Sequence, residues 1–114
     1  MKVNNKKAGK SKLFSSRLKN ERVDMLAKAF LSLENEEECY RLFEDLFTIR
    51  EVQDLAQRLE VAQLLSNKAT YTEIVEKTGV STATIGRVNR ALSYGAEGYQ
   101  LVLKRLSAAE ETDK

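Results

Sequence analysis

The stretch that most constrains this chain is Tyr71 to Tyr94, which reads YTEIVEKTGVSTATIGRVNRALSY. Ile74 and Val75 are followed by Gly79 and Val80, and then by Ile85 and Val88 on a second helical period. That is the order of two short helices around a tight turn, in which glycine supplies a backbone angle that residues with side chains resist. The apolar set Ile74, Val75, Val80, Ile85 and Val88 wedges the helices together. The pattern therefore predicts a helix-turn-helix over residues 71–94, with its second helix free to enter a DNA major groove.

Helical signals punctuate the rest of the chain. Leu18, Met25, Leu26, Ala29, Phe30 and Leu33 fall near helical spacing, so a first helix is expected from Ser16 to Leu33. Asn35 with Glu38 marks an N-cap, and Cys39, Leu42, Phe43, Leu46 and Phe47 follow as an apolar stripe. Thr48 with Glu51 and Thr70 with Glu73 repeat the capping-box spacing, which predicts a long third helix through Leu55, Leu59, Ala62 and Leu65 and then the first helix of the motif. Gly95, Glu97 and Gly98 mark a turn. Tyr99, Val102, Leu103 and Leu106 supply a last helix before a polar tail, Glu110 to Lys114. With no Pro and only five Gly in 114 residues, few breakers oppose this reading. The expected fold is all-α, six helices without a strand. A single helical domain is expected over residues 16–109, preceded by an arm of residues 1–15.

Leu26, Phe30, Leu42, Phe43, Leu46 and Phe47 give the two N-terminal helices more bulky apolar surface than a small bundle needs. The surplus reads as a homodimer interface, the alternative being closure of a monomeric core. The arm is basic: from Met1 to Arg22 the charged residues are Lys2, Lys6, Lys7, Lys10, Lys12, Arg17, Lys19 and Arg22 against Glu21 alone, which leaves the remainder net acidic. Such an arm is a flexible solvated tail that can also neutralise phosphates.

Several classes of chemistry are disfavoured. The chain has one Cys, Cys39, and no His, so neither an internal disulfide, a zinc cluster nor a Cys-His or Ser-His pair is expected. There is no phosphate-cradling Gly loop, and the carboxylates fall on solvated helix faces, so no enzyme is expected. No run of eighteen apolar residues occurs, and no membrane partner is expected. A cytoplasmic location follows.

If the apolar set of the motif is buried, the period leaves Ser81, Thr82, Ala83, Gly86, Arg87, Asn89 and Arg90 on or near the outward face, and Thr72 joins them from the first helix. Ser81 caps the second helix and offers a hydroxyl to phosphate. Thr82, Ala83 and Gly86 let base edges or thymine methyls approach, while Arg87, Asn89 and Arg90 have the donors for phosphates, guanine or adenine. Gly86, inside a helix, suggests either that something packs closely there or that a surface glycine is tolerated.

From Leu46 to Leu92 the chain resembles the tryptophan repressor family, especially its YerC/YecD-type branch. The resemblance rests on Ala83-Thr84-Ile85-Gly86-Arg87, on Leu55 to Leu65 with Arg58, and on Asn35 to Arg41 with Cys39-Tyr40-Arg41, and it covers roughly residues 23–107. It implies an intertwined helical homodimer that presents two reading heads to successive major grooves of a palindromic operator. It also implies a corepressor position between two arginines matching Arg58 and Arg87, beside a threonine matching Thr48. The family's glycine after the second arginine is Val88 here, and its serine is Ala91. A branched side chain at that point narrows the slot for a flat indole, so no cofactor is expected and a tryptophan corepressor is disfavoured. Arg58 and Arg87 then touch phosphates or acids such as Glu51 and Asp54. The expected function is a sequence-specific DNA-binding transcriptional regulator, a repressor by resemblance. The competing reading is a dimeric helical protein-interaction module without DNA binding.

Overall fold

Local capping decides where the helices start. The computed structural model describes residues 14–113, and among them six α-helices and no strand follow one another: α1 (Glu21–Leu31), α2 (Glu36–Leu46), α3 (Ile49–Ser66), α4 (Tyr71–Thr78), α5 (Thr82–Tyr94) and α6 (Gly98–Asp113). Apart from Phe14 and Ser15, the basic arm of residues 1–15 lies outside the described residues.

The start of α1 differs from the expected Ser16. The Ser16 hydroxyl accepts the Leu18 N–H at 3.0 Å and its carbonyl accepts the Lys19 N–H at 3.3 Å, closing a turn instead. Asn20, in an extended conformation, then caps α1 through its side-chain oxygen, which accepts the Val23 N–H at 2.9 Å. For α2 the Asn35 side chain accepts the Glu38 N–H at 2.9 Å as the spacing predicts, although the Glu38 carboxylate turns back to the N–H of Glu34 at 2.8 Å. Both expected capping boxes form. Thr48 accepts the Glu51 N–H at 3.1 Å while Glu51 accepts that of Thr48 at 2.9 Å, and Thr70 with Glu73 does the same at 3.1 and 2.8 Å. Each box satisfies two backbone donors that the first turn of a helix leaves without partners.

The break after α3 is a Schellman motif. The Ala69 N–H donates to the Leu64 carbonyl and the Lys68 N–H to that of Leu65, both at 3.0 Å, with Lys68 at φ 71°. A side chain in this left-handed region costs about 1–2 kcal/mol, partly offset because glycine loses more entropy on folding. Lys68→Gly is therefore expected to raise stability by roughly 0.5–1 kcal/mol, seen as a melting temperature several degrees higher; an unchanged or lower value would show that the lysine is unstrained.

The chain divides into two compact units, Met1–Phe43 and Glu44–Lys114. In the second, α3 packs against α4, α5 and α6. Its core is Val61 and Ala62 of α3, Ile74 of α4, Val80 of the turn, and Ile85 and Val88 of α5, with Leu64, Leu65, Ala69, Val75, Leu92, Tyr99 and Leu103 packed around it. Val75, expected in the buried set, is only half-buried. The α5 helix stops at Gly95, where any Cβ would lie 2.4 Å from the Ala91 carbonyl oxygen, so even alanine is excluded without movement. The Gln100 side-chain amide then donates to the Leu92 carbonyl at 2.6 Å and ties α6 to the end of α5. The last helix runs to Asp113, past the expected boundary at Glu110.

In the first unit Phe43 packs between Phe30 and Tyr40, each pair of ring centroids 6.4 Å apart at tilted angles. No side chain of α1 or α2 is buried. Leu26, Phe30 and Leu46 are exposed, while Leu42, Phe43 and Phe47 are half-buried.

Candidate nucleic-acid interface

The α4–α5 pair turns on Gly79, at φ 77°, the left-handed conformation that its position in the sequence predicts. Its N–H donates to the Val75 carbonyl at 2.8 Å, and the Thr78 hydroxyl bridges the corner by donating to the Ile74 carbonyl at 2.7 Å and accepting the Val80 N–H at 3.2 Å. Ile74, Val80, Ile85 and Val88, all buried, then hold α5 by one side.

The opposite side is open. Ser81, Thr82, Ala83, Arg87, Asn89 and Arg90 are exposed, Gly86 is half-exposed, and Thr72 is exposed on α4. At 100° per residue, Ala83, Gly86, Arg87 and Arg90 form the centre of the stripe facing away from Ile85 and Val88, and Thr82 and Asn89 share one flank. Asn89 is thus a rim residue.

Two of the expected contacts meet across a hollow of about 340 Å³, lined by Tyr71, Thr72, Val75 and Glu76 of α4 and by Thr82 of α5. Thr72 and Thr82 are brought together there. Tyr71 and Glu76, which are not among the expected contacts, line it as well; Glu76 lies four residues after Thr72 and so shares its helix face. Its carboxylate is the one acid of the hollow among the described residues, and it opposes phosphate on that side.

Ser81 has less to offer than expected. Its hydroxyl accepts the Thr84 N–H and donates to the Thr84 Oγ1, both at 3.1 Å, so its proton is already engaged. Gly86 is the reverse case. Beyond its own helix backbone and chain neighbours, a Cβ built on it meets nothing within 4 Å, so the close packing considered for this turn does not occur among the described residues. A mid-helix glycine costs about 1 kcal/mol relative to alanine.

The residues considered for a small ligand are distributed over two helices. Thr48 caps α3, half-buried Arg58 lies ten residues further along it, about 15 Å by helical rise, and exposed Arg87 stands on α5. Pairing of either arginine with Glu51 or Asp54 does not form: among the described residues the ion pairs are Lys19–Asp24 and Arg41–Glu37. Val88 is buried against the core that α3 and α5 share, and Ala91 is half-buried one turn on. No group of three or more His, Cys, Asp or Glu among the described residues is placed to hold a metal, and no helix among them is long and apolar enough to cross a membrane.

Comparison with known proteins is consistent on one point. The family model described as Trp repressor protein matches residues 21–107. The Bacillus subtilis (strain 168) protein YerC, itself uncharacterised, is 50% identical over 94 residues, covering 82% of this chain and 90% of the relative. A TrpR-like protein from Eubacterium eligens ATCC 27750 superposes with a TM-score of 0.77 at 52% identity, over 80% of this chain and 94% of that one. A crystal structure of a Trp-repressor-type protein from Staphylococcus aureus gives 0.76 at 45% identity, over 80% and 91%.

Proposed function

Since this chain belongs to the Trp repressor protein family, we propose that it is a homodimeric, sequence-specific DNA-binding regulator of transcription that works as a repressor in the cytoplasm. The observation that carries the reading is the division of α5: Ile85 and Val88 are buried while Ala83, Arg87 and Arg90 stand exposed on the other side. A helix held by one face and presenting small residues and guanidinium groups on the other is suited to the major groove. No reaction is part of this proposal.

The exposed Leu26 and Phe30 of the first unit supply the second surface. Apolar faces of that kind are covered in a symmetric dimer, which would set two α5 helices on one side of a duplex. Because Val88 fills the side of α5 that turns toward α3, the proposal includes no tryptophan gate.

Selection of bound sequences from a random duplex pool tests the reading. A palindrome with half-sites about one helical turn, or roughly 10 base pairs, apart is expected to emerge. A repeat with amino acids present tests for a corepressor. If neither selection enriches a sequence and no salt-sensitive duplex binding is found, the regulator reading fails and a protein-interaction module takes its place.

A further inference from the structure

We propose that Gly86 is the point at which α5 comes closest to the duplex, and that the space left by its missing side chain receives the 5-methyl group of a thymine. The inference rests on the DNA-binding reading above and deepens it by naming a residue that sets specificity and the base it selects.

Gly86 sits in the interior of a thirteen-residue helix, where glycine weakens the helix relative to alanine. Such a glycine is ordinarily explained by a crowded neighbour or a left-handed backbone angle. Neither applies: beyond its own helix backbone and chain neighbours, a Cβ at this position meets no atom of the described residues within 4 Å, and Gly79 is the glycine at positive φ among the described residues. Among the described residues the helix therefore gives up stability at this turn without return; of the two readings of such a glycine, a tolerated surface position and a close neighbour, we take the second, with the neighbour outside the chain. Gly86 lies one turn beyond Thr82 and Ala83 and one turn before Asn89 and Arg90, among the residues proposed to face the groove.

The chemistry of the opening narrows what fills it. In mid-helix the backbone N–H and C=O groups are engaged within the helix, so the surface at Gly86 offers only C–H, flanked by the Ala83 methyl. A phosphate would find no donor there. The apolar group that a major groove displays is the 5-methyl of thymine, which no other base carries. A methyl group on residue 86 would take the same space.

That competition provides the test. Wild type and Gly86→Ala would be measured on the selected duplex and on a set in which each thymine in turn is replaced by deoxyuridine, which removes the methyl and keeps the base pairing. For wild type, one position per half-site is expected to lose about fourfold in affinity, the worth of one buried methyl-sized group. Gly86→Ala is expected to melt several degrees higher, showing that it folds, yet to bind the thymine duplex at least about tenfold more weakly; deoxyuridine at that same position should restore part of the loss. Binding by Gly86→Ala equal to wild type, or a loss indifferent to thymine and deoxyuridine at every position, overturns the inference while leaving the regulator reading standing. Failure of wild type to bind any duplex removes both.

Discussion

Ile85→Ala is expected to remove about 3 kcal/mol of stability, a large share of the roughly 5–15 kcal/mol that holds a domain of this size. Ile85 is 0% exposed and belongs to the cluster with Val61, Ala62, Ile74, Val80 and Val88. Removing three carbons takes away their transfer free energy and leaves a cavity between helices whose starts are held by the Thr48 and Thr70 boxes and by Ser81. Those caps limit how far the helices can slide to fill it, which is the condition under which large-to-small substitutions are most destabilising. Urea denaturation followed by circular dichroism, at one fixed protein concentration, measures the effect. A loss below about 1 kcal/mol would show that the core is not centred on α5. Val75→Ala serves as the internal comparison, because that side chain is half-buried and its truncation should cost clearly less.

Joint replacement of Arg87 and Arg90 by alanine should weaken duplex binding on the order of a hundredfold or more while leaving thermal stability within about 0.5 kcal/mol of wild type. Both side chains are exposed, and neither takes part in an ion pair among the described residues, so their removal leaves no buried charge behind. Each stands near the middle of the stripe that faces away from Val88. If both contact phosphates, the slope of log affinity against log salt should fall by about two, since each neutralised phosphate contributes about 0.9. If one reads a guanine instead, the slope changes by about one and discrimination at that base relaxes. Binding unaffected by the double substitution would place the duplex on another face.

Much of this arrangement is written in short-range chemistry. The starts of α2, α3 and α4 follow from Asn35, Thr48 and Thr70, because a side chain three residues from its donor needs no tertiary information to find it. Gly79 is legible for the same reason. The ends that were misplaced are those where local options compete. Ser16 has the look of a helix start, but its hydroxyl and carbonyl close a turn on Leu18 and Lys19, and Asn20 takes over as the cap. The apolar period stops at Leu106, yet α6 continues through Ala108, Ala109, Glu110 and Glu111, residues with strong intrinsic helix preference and no need of a buried face. Around the candidate interface, the inward and outward sides of α5 were readable from periodicity alone. The hollow shared by Glu76 and Thr82 was not, since it depends on the angle between two helices that no spacing within either one encodes.

The absence of any buried side chain in α1 and α2 has a thermodynamic corollary. Each has eleven residues, and helices of that length are marginal in water without a packed face. In the proposed dimer their order would be supplied by a second copy, so subunit association and completion of the fold would be linked by mass action. Copy number would then set, in one equilibrium, how much of the protein is fully helical and how much is competent to occupy a two-fold site.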